Sequence, residues 1–200
     1  AATRAILVAG GRIGDQIAAK LASDGFPTVV VRTSSPSRTN LTISDPQGMA
    51  IKLNELGPKI KAGEIQQVRD AVEKNLEGAT WLMLCGSLPP GVPAKFYADL
   101  IALAKERGVK TLLDADDDAL RLGVMQNPTV VKPNLQETER LLSRALISKS
   151  QFVDAARRIQ DMGAASVILS LGARGAVAAS GREMIEALPP RVDVLCPIGS

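Results

Sequence analysis

The sequence alternates short apolar runs with segments whose apolar residues recur every three or four positions, and this alternation constrains the fold most. Ile65, Val68 and Val72 show the second pattern, which places side chains on one face of a helix. The strand-like runs are residues 5–9, 28–32, 80–84, 110–114, 129–132 and 166–171. Strands that alternate with helices are typical of a mostly parallel sheet covered by helices. The sequence therefore predicts an α/β fold.

One segment departs from this alternation. Residues 28–32 and 39–43 both have strand-like composition, and the turn-rich Thr-Ser-Ser-Pro-Ser lies between them without a helix. This pattern predicts a small β lid at about residues 28–45. Because the chain shows no internal repeat and no long linker, we expect residues 1–200 to form a single domain that carries this lid.

Composition and charge argue against several kinds of partner. A net charge of +3 over 200 residues, with 2% aromatic residues, offers little to a phosphate backbone or to stacked bases, so we expect no nucleic-acid binding. The longest apolar stretches, residues 5–9 and 80–85, are far shorter than the roughly 20 residues of a membrane-spanning helix. We therefore expect no membrane partner. The chain opens without a leader pattern, which favours a cytoplasmic protein.

The cysteine and histidine content limits the kinds of catalytic and metal-binding site that the chain can form. The two cysteines, Cys85 and Cys196, both lie in apolar runs, so we expect them to be buried and to form neither a disulfide nor a thiolate metal site. The chain has no histidine, the side chain used most often as a general base near neutral pH. A catalytic base is therefore expected to be a carboxylate.

Four polar or glycine-rich motifs directly follow predicted strands. They are Cys-Gly-Ser-Leu-Pro-Pro-Gly-Val at 85–92, Asp-Ala-Asp-Asp-Asp at 114–118, Lys-Pro-Asn-Leu-Gln-Glu at 132–137 and Gly-Ala-Arg-Gly at 172–175. Because ligands of open parallel sheets bind beyond the carboxyl ends of the strands, we expect these motifs to gather at one edge. Glycines expose N–H groups, and Ser, Lys and Asn donate to phosphate oxygens. The motifs therefore predict a phosphate-bearing ligand.

Each motif also has a purely local interpretation. Residues 86–91 fit a strand-to-helix turn. The aspartates of residues 114–118 fit a helix N-cap with an acidic first turn, and only Asp114 then stands out as a metal ligand. Glu137, three residues after Asn134, fits a capping box. The residues alone leave these alternatives open.

Six motifs in this order resemble the PfkB family of carbohydrate kinases, and most of all its branch with 1-phosphofructokinase and tagatose-6-phosphate kinase. The matching stretches are residues 38–42, 52–58, 86–92, 132–137, 170–175 and the closing Pro-Ile-Gly-Ser. The resemblance implies a ribokinase-like three-layer α/β/α sandwich with a small β lid. It also implies ATP-dependent phosphoryl transfer to a hydroxyl of a phosphorylated hexose, namely fructose 1-phosphate, fructose 6-phosphate or tagatose 6-phosphate.

The resemblance assigns residues to the phosphorylated hexose and to ATP. Arg38 is expected to contact the phosphate of the hexose, a partner that suits a guanidinium group, with Asn40 and Ser87 as nearby hydrogen-bonding residues. The residues expected at ATP are Lys132, Asn134, Glu137, Ser170, Gly172 and Gly175. Asn134 and Glu137 are also expected to order water around Mg²⁺, which usually keeps part of its hydration shell.

The remaining implied features are the catalytic motif and a dimer. Gly199 and Ser200 resemble the first half of a Gly-Ala-Gly-Asp or Gly-Ser-Gly-Asp motif, whose amides stabilise charge on the transferred group and whose aspartate is the base. That aspartate is expected just beyond residue 200, so the chain alone is expected to be inactive. Family members often dimerise through the lid strands, which predicts a homodimer here.

Two other functions compete with the kinase. The Ala-Gly-Gly-Arg-Ile-Gly of residues 9–14, with Arg32 at the end of the next predicted strand, suggests an NADP-dependent dehydrogenase, although the fingerprint needs a glycine where Ala9 stands. Tight packing of strand on helix is the alternative explanation of these glycines. The other competitor is a non-catalytic ribokinase-like protein that only binds its ligand.

Overall fold

The computed structural model describes residues 3–44 and 50–190. Within these residues the strands are β1 (Ala5–Ala9), β2 (Thr28–Arg32), β3 (Asn40–Ser44), β4 (Ala50–Asn54), β5 (Trp81–Cys85), β6 (Lys110–Asp114), β7 (Val130–Val131), β8 (Ser166–Ser170), β9 (Ala176–Ser180) and β10 (Glu183–Ala187). The α-helices are α1 (Gly11–Ser23), α2 (Ala62–Asn75), α3 (Phe96–Glu106), α4 (Asp117–Val124), α5 (Leu135–Leu142) and α6 (Lys149–Asp161). The described chain is therefore an α/β structure, as the sequence predicts.

The chain divides into two compact units. Of the described residues, the first unit contains residues 3–44, 50–71, 89–92 and 190, and the second contains Val72–Leu88 and Pro93–Pro189. The second unit is built on a six-stranded sheet with the strand order β10-β9-β8-β7-β6-β5. Strands β5 to β8 run parallel, whereas β9 and β10 are antiparallel to their neighbours. The sheet is thus mostly parallel, and its parallel part holds the four motifs.

The core of the second unit lies on one face of this sheet. Leu113, Val131, Val167 and Ala179 follow one another in register across β6 to β9, and each is 0% exposed. Helices α3, α4 and α6 pack on these strands, and their own apolar stripes are buried. Side chains of the opposite face are partly or fully exposed, among them Met83 at 63%. Helices α3, α4 and α6 therefore cover the buried face of this sheet.

The first unit contains two separate pairs of strands. Strands β1 and β2 are parallel, and α1 connects them. Strands β3 and β4 form an antiparallel pair. The segment between β2 and β3 is held to α2, because the Ser34 amide donates to the Glu64 carboxylate over 2.7 Å. Hydrogen bonds from the amides of Lys61 and Ser34 lower the pKa of Glu64.

The pairing changes how the lid strands are grouped. The sequence places residues 28–32 and 39–43 in one β excursion, but β2 is bonded to β1, and β3 finds its partner in β4. Strand β4 was not predicted, because residues 50–54 directly follow a turn-rich segment and were not recognised as a separate apolar run. The extent of the lid and the single-domain organisation remain predictions.

The strand boundaries largely follow the apolar runs. Strands β1, β2 and β6 begin and end at the expected residues, and β5 is shifted by one residue. Strands β9 and β10 were not predicted, since Ala-Val-Ala-Ala-Ser and Glu-Met-Ile-Glu-Ala have few β-branched residues. Their hairpin forms because Gly181 adopts a φ of 52° at the turn. In the described part of the chain, no helix has the length and apolar character needed to cross a membrane.

Candidate active site

The carboxyl ends of β5 to β8 form a continuous rim in the second unit. We define the rim as residues 85–87, 114–116, 132–137 and 170–175. The Gly86 amide donates to the Asp114 carbonyl over 2.8 Å, which joins the ends of β5 and β6. The Lys132 ammonium lies 3.0 Å from the Asp114 carboxylate, which joins β6 to β7. The Ser170 amide donates to the Pro133 carbonyl over 3.0 Å and completes the connection to β8. The structure therefore brings the four motifs together.

The Cys-Gly-Ser turn after β5 is held from two sides. Gly86 has a φ of 97°, a conformation that favours glycine. The Tyr97 hydroxyl from α3 lies within donating distance of two carbonyls, 3.3 Å from Cys85 and 3.1 Å from Gly86. The Ser87 hydroxyl donates to the Asp116 carboxylate over 2.9 Å. Burial, together with the nearby Cys85, Asp116 and Asp114, raises the pKa of Tyr97 to about 12.

A capping box holds the start of α5. The Glu137 amide donates to the Asn134 side-chain oxygen over 2.9 Å, and the Asn134 amide donates to the Glu137 carboxylate over 2.8 Å. The Asn134 side-chain nitrogen donates to the other Glu137 oxygen over 2.6 Å. The local interpretation of this motif is therefore confirmed. Burial raises the pKa of Glu137, the Asn134 amide opposes this effect, and Asp114 adds to it.

This capping box still suits a hydrated cation. Each carboxylate oxygen of Glu137 accepts one hydrogen bond from Asn134, and a carboxylate oxygen has a second lone pair to offer. Asp114 and Asp116 raise the pKa of Glu137, and Lys132, which pairs with Asp114, lowers it. Among the residues that the structure describes, no group of three or more His, Cys, Asp or Glu side chains is placed to ligate a metal directly. The donors present therefore fit Mg²⁺ bound through water.

The aspartates after β6 do not act as one cluster. Asp114 pairs with Lys132, while Asp117 pairs with Arg140 and Asp118 with Arg121. Asp116 occupies the N-cap position of α4, yet its side chain makes no capping hydrogen bond. Asp116 therefore occupies the predicted N-cap position, but it does not cap the helix with its side chain. The Asp116 carboxylate is directed to Ser87 instead.

The end of β8 and the turn after it contain Ser170, Gly172 and Gly175, the three residues of this motif predicted to line the ATP site. Ser170 lies next to Asn134 in a short parallel bridge. Gly172 has a φ of 59°, and a Cβ atom placed there would meet nothing within 4 Å. At Gly175, by contrast, a Cβ atom would lie 2.0 Å from the Ala187 carbonyl oxygen. Gly172 thus leaves open space at the rim, whereas Gly175 is needed for the approach of the chain after β10.

Two of the predicted hexose-binding residues belong to the first unit. Arg38 is exposed, and its guanidinium is 3.5 Å from the Glu55 carbonyl oxygen. Asn40 begins β3 and pairs with Asn54 of β4. The third residue, Ser87, is part of the rim in the second unit. Gly199, Ser200 and Cys196 lie outside the described residues.

One prediction about the cysteines is wrong. Cys85 is exposed, because it ends β5 on the sheet face that the described helices do not cover. Partial desolvation and the Asp114 carboxylate raise the pKa of the Cys85 thiol, and Lys132 opposes this effect. An apolar sequence context therefore did not give burial at the end of an edge strand.

The glycines between β1 and α1 have a packing role. A Cβ atom at Gly10 would lie 2.0 Å from the Ser35 carbonyl oxygen, and one at Gly11 would lie 2.8 Å from Pro36. The Ser37 amide also donates to the Gly10 carbonyl over 2.8 Å. The chain itself thus fills the space where a dinucleotide would approach the helix. Arg32, at the end of β2, pairs with Asp15. These contacts explain the motif without NADP.

The mostly parallel sheet, with the four motifs at the carboxyl ends of its strands, defines an α/β protein whose sheet edge is suited to a ligand. The model for the "pfkB family carbohydrate kinase" family matches residues 1–200, and the chain therefore belongs to this family. The predicted family and fold class are confirmed.

Individual relatives agree with this assignment. A 1-phosphofructokinase of Rhodobacter capsulatus is 35% identical over 181 residues, which are 90% of this chain and 57% of that protein. ATP-dependent 6-phosphofructokinase isozyme 2 of Escherichia coli (strain K12) is 30% identical over 98% of this chain and 64% of its own length. A structure of E. coli phosphofructokinase-2 in complex with fructose-6-phosphate superimposes with a TM-score of 0.85 and 29% identity, over 96% of this chain and 64% of that one. The chain thus spans less than two thirds of these relatives.

Two rim contacts were not predicted from the sequence. Tyr97 lies 10 residues after Ser87 in α3, and its phenol has no sequence signal of its own beyond its helical position. Asp116 was considered only as a cap or as part of an acidic cluster. Their contacts with the Cys-Gly-Ser turn depend on how α3 and the β6–α4 connection fold back on β5, which only the tertiary structure reveals.

Proposed function

We propose that the full-length protein transfers a phosphoryl group from ATP to a hydroxyl of a phosphorylated hexose. The observation that carries this proposal is the continuous rim, where direct contacts join the Cys-Gly-Ser turn to Asp114, Asp114 to Lys132, and the residues before α5 to Ser170. Such a rim suits phosphate groups. Membership in the carbohydrate kinase family supports the reaction class. Relatives named 1-phosphofructokinase and 6-phosphofructokinase support a phosphorylated hexose as acceptor.

The acceptor hexose is assigned to Arg38, Asn40 and Ser87. A guanidinium forms paired, charge-assisted hydrogen bonds with a phosphate, and Arg38 is exposed with only a long contact to the Glu55 carbonyl. The substrates of this proposal are fructose 1-phosphate, fructose 6-phosphate and tagatose 6-phosphate. Likeness to the structure of E. coli phosphofructokinase-2 in complex with fructose-6-phosphate supports the second of these.

ATP is assigned to the β7 and β8 side of the rim. Lys132, Ser170 and Gly172 offer an ammonium, a hydroxyl and an open backbone position to the nucleotide. Asn134 and Glu137 would hold Mg²⁺ through water, and the ion when bound would neutralise charge on the phosphates. Gly175 contributes by shaping the turn. Gly199 and Ser200 are proposed as the start of the catalytic motif, whose amides would stabilise the transferred group.

The substitution Arg38→Ala tests the substrate assignment in the full-length enzyme. We expect the KM for the phosphorylated hexose to rise by about 10-fold to 100-fold, because charge-assisted hydrogen bonds to the phosphate are lost. The KM for ATP should stay within about twofold of its original value. Arg32→Ala is the matched control, since Arg32 is also an exposed arginine of the first unit and pairs with Asp15. An equal loss for both substrates would contradict the assignment.

The lid strands support a further proposal, a homodimer. Leu41 and Leu53 face each other across β3 and β4, as do Ile43 and Ile51, and all four are more than half exposed. An exposed apolar surface on a strand pair favours association with a second copy of the chain. A cytoplasmic location remains a prediction of the sequence.

A further inference from the structure

We propose that Asp116 is a positioning residue that fixes the Ser87 hydroxyl as a hydrogen-bond acceptor, so that Ser87 binds a hydroxyl of the acceptor hexose and not its phosphate. The inference rests on the proposed function and adds specificity to it. It begins with an unusual use of an N-cap residue. Asp116 stands at the N-cap of α4, but its side chain makes no capping hydrogen bond. Its carboxylate accepts the Ser87 hydroxyl proton over 2.9 Å.

The chemistry of this pair determines what Ser87 offers to a ligand. An ionised carboxylate only accepts hydrogen bonds, so the single proton of the Ser87 hydroxyl is directed to Asp116. The remaining lone pairs of the Ser87 oxygen can only accept. A sugar hydroxyl donates to such an oxygen, whereas a phosphate dianion does not. The negative charge of Asp116 also repels a phosphate at this position.

The surrounding contacts hold the backbone just before Ser87. The Gly86 amide is bonded to the Asp114 carbonyl over 2.8 Å. The Tyr97 hydroxyl lies 3.1 Å from the Gly86 carbonyl. The amide and the carbonyl of Gly86 are therefore both held by hydrogen bonds. The Ser87 side chain remains exposed to a ligand. Asp116 itself is half-buried, and its hydrogen bond with Ser87 lies at the surface of the rim.

The test is a double-mutant cycle in the full-length enzyme with fructose 1-phosphate, fructose 6-phosphate and tagatose 6-phosphate as acceptors. We expect Asp116→Ala and Ser87→Ala each to raise the KM for the accepted hexose phosphate by about tenfold, the effect of losing the one hydrogen bond between the sugar hydroxyl and the Ser87 oxygen. The double variant should lose no more than either single variant. The KM for ATP and the thermal unfolding midpoint should change little. The matched control is Asp118→Asn, an exposed aspartate two residues away that pairs with Arg121.

Each outcome decides one question. Additive losses in the double variant, or an Asp116→Ala variant that behaves like the control, would overturn the positioning role. A lower KM for Asp116→Ala would also overturn it, because removal of the charge would then have favoured phosphate at Ser87. If the wild-type enzyme accepts no phosphorylated hexose, the proposed function fails and the inference fails with it. If the wild-type enzyme is active and Asp116→Ala has no effect, the positioning role fails and the proposed function still holds.

Discussion

At the scale of single residues, the environment of Tyr97 has the clearest physical consequence. Burial raises the pKa of this phenol to about 12, while an unfolded tyrosine titrates near 10. Between these values the unfolded chain binds fewer protons than the folded chain. The free energy of unfolding therefore falls as the pH rises from about 10, by up to about 1.4 kcal/mol per pH unit. Below pH 10 this contribution is fully present.

The chain contains one tyrosine, so phenolate absorbance reports Tyr97 directly. We expect the folded chain to show little phenolate at pH 10.5, where the same chain in denaturant is more than half ionised. The substitution Tyr97→Phe should remove the alkaline loss of stability and cost about 1 kcal/mol at neutral pH, because the hydrogen bonds to Cys85 and Gly86 are lost. Half-ionisation of the folded chain near pH 10 would contradict the burial of the phenol.

At the scale of elements, two capping boxes of the same kind allow the rim to be separated from general stability. Asn134 and Glu137 form one at α5, and Ser148 and Gln151 form the other at α6. The first lies in the rim, whereas Ser148 precedes a helix that packs on the buried sheet face. Both caps satisfy N–H groups that a helix leaves unpaired at its start.

Removal of each cap should therefore affect stability alike and binding differently. We expect Asn134→Ala and Ser148→Ala each to lower the free energy of unfolding by about 1 kcal/mol, measured by urea denaturation. Only Asn134→Ala should also weaken ATP binding to the full-length protein in the presence of Mg²⁺, measured by calorimetry. Equal ATP affinity for the two variants would show that the α5 cap does not contribute to nucleotide binding.

The turn after β8 offers a second comparison between matched variants. Gly175→Ala forces a side chain into a φ of 90° and against the Ala187 carbonyl, so we expect a loss of about 3 kcal/mol in the free energy of unfolding. Gly172→Ala meets open space and has only the strain of a positive φ, about 1 kcal/mol. Denaturant unfolding of both variants measures the difference. A similar loss for the two would be inconsistent with the close approach of the chain at Gly175.

The sequence predicts elements better than it predicts contacts between them. Strands β1, β2 and β6 were bounded correctly because apolar runs end where turn residues begin. The alanine-rich β9 carries no such signal and becomes a strand through its neighbour β8. The family motifs predict roles for Ser87 and Asn134, but they give no sign of the Ser87–Asp116 bond, which links residues 29 positions apart. Contacts of this kind are set by tertiary folding and leave no local pattern.

At the scale of the whole molecule, the lid strands predict the state of assembly. Leu53 is 54% exposed on β4, and an aspartate there would place a charge within the proposed dimer surface. We expect the full-length protein to sediment as a dimer and Leu53→Asp to sediment as a monomer with unchanged secondary structure. Leu188→Asp is the control, because Leu188 is 73% exposed in the second unit. A dimer that survives Leu53→Asp would exclude the lid as its interface.

We propose that the carboxyl ends of β5 to β8 bind ATP and the sugar part of the phosphorylated hexose in the full-length protein. Hydrogen–deuterium exchange of the full-length protein, with and without ATP, Mg²⁺ and the hexose phosphate, measures this directly. We predict slower exchange in peptides that contain residues 85–87, 132–137 and 170–175, and no change along the outer face of α6. Unchanged exchange in all three rim segments at saturating ligand, with protection located elsewhere, would contradict the account.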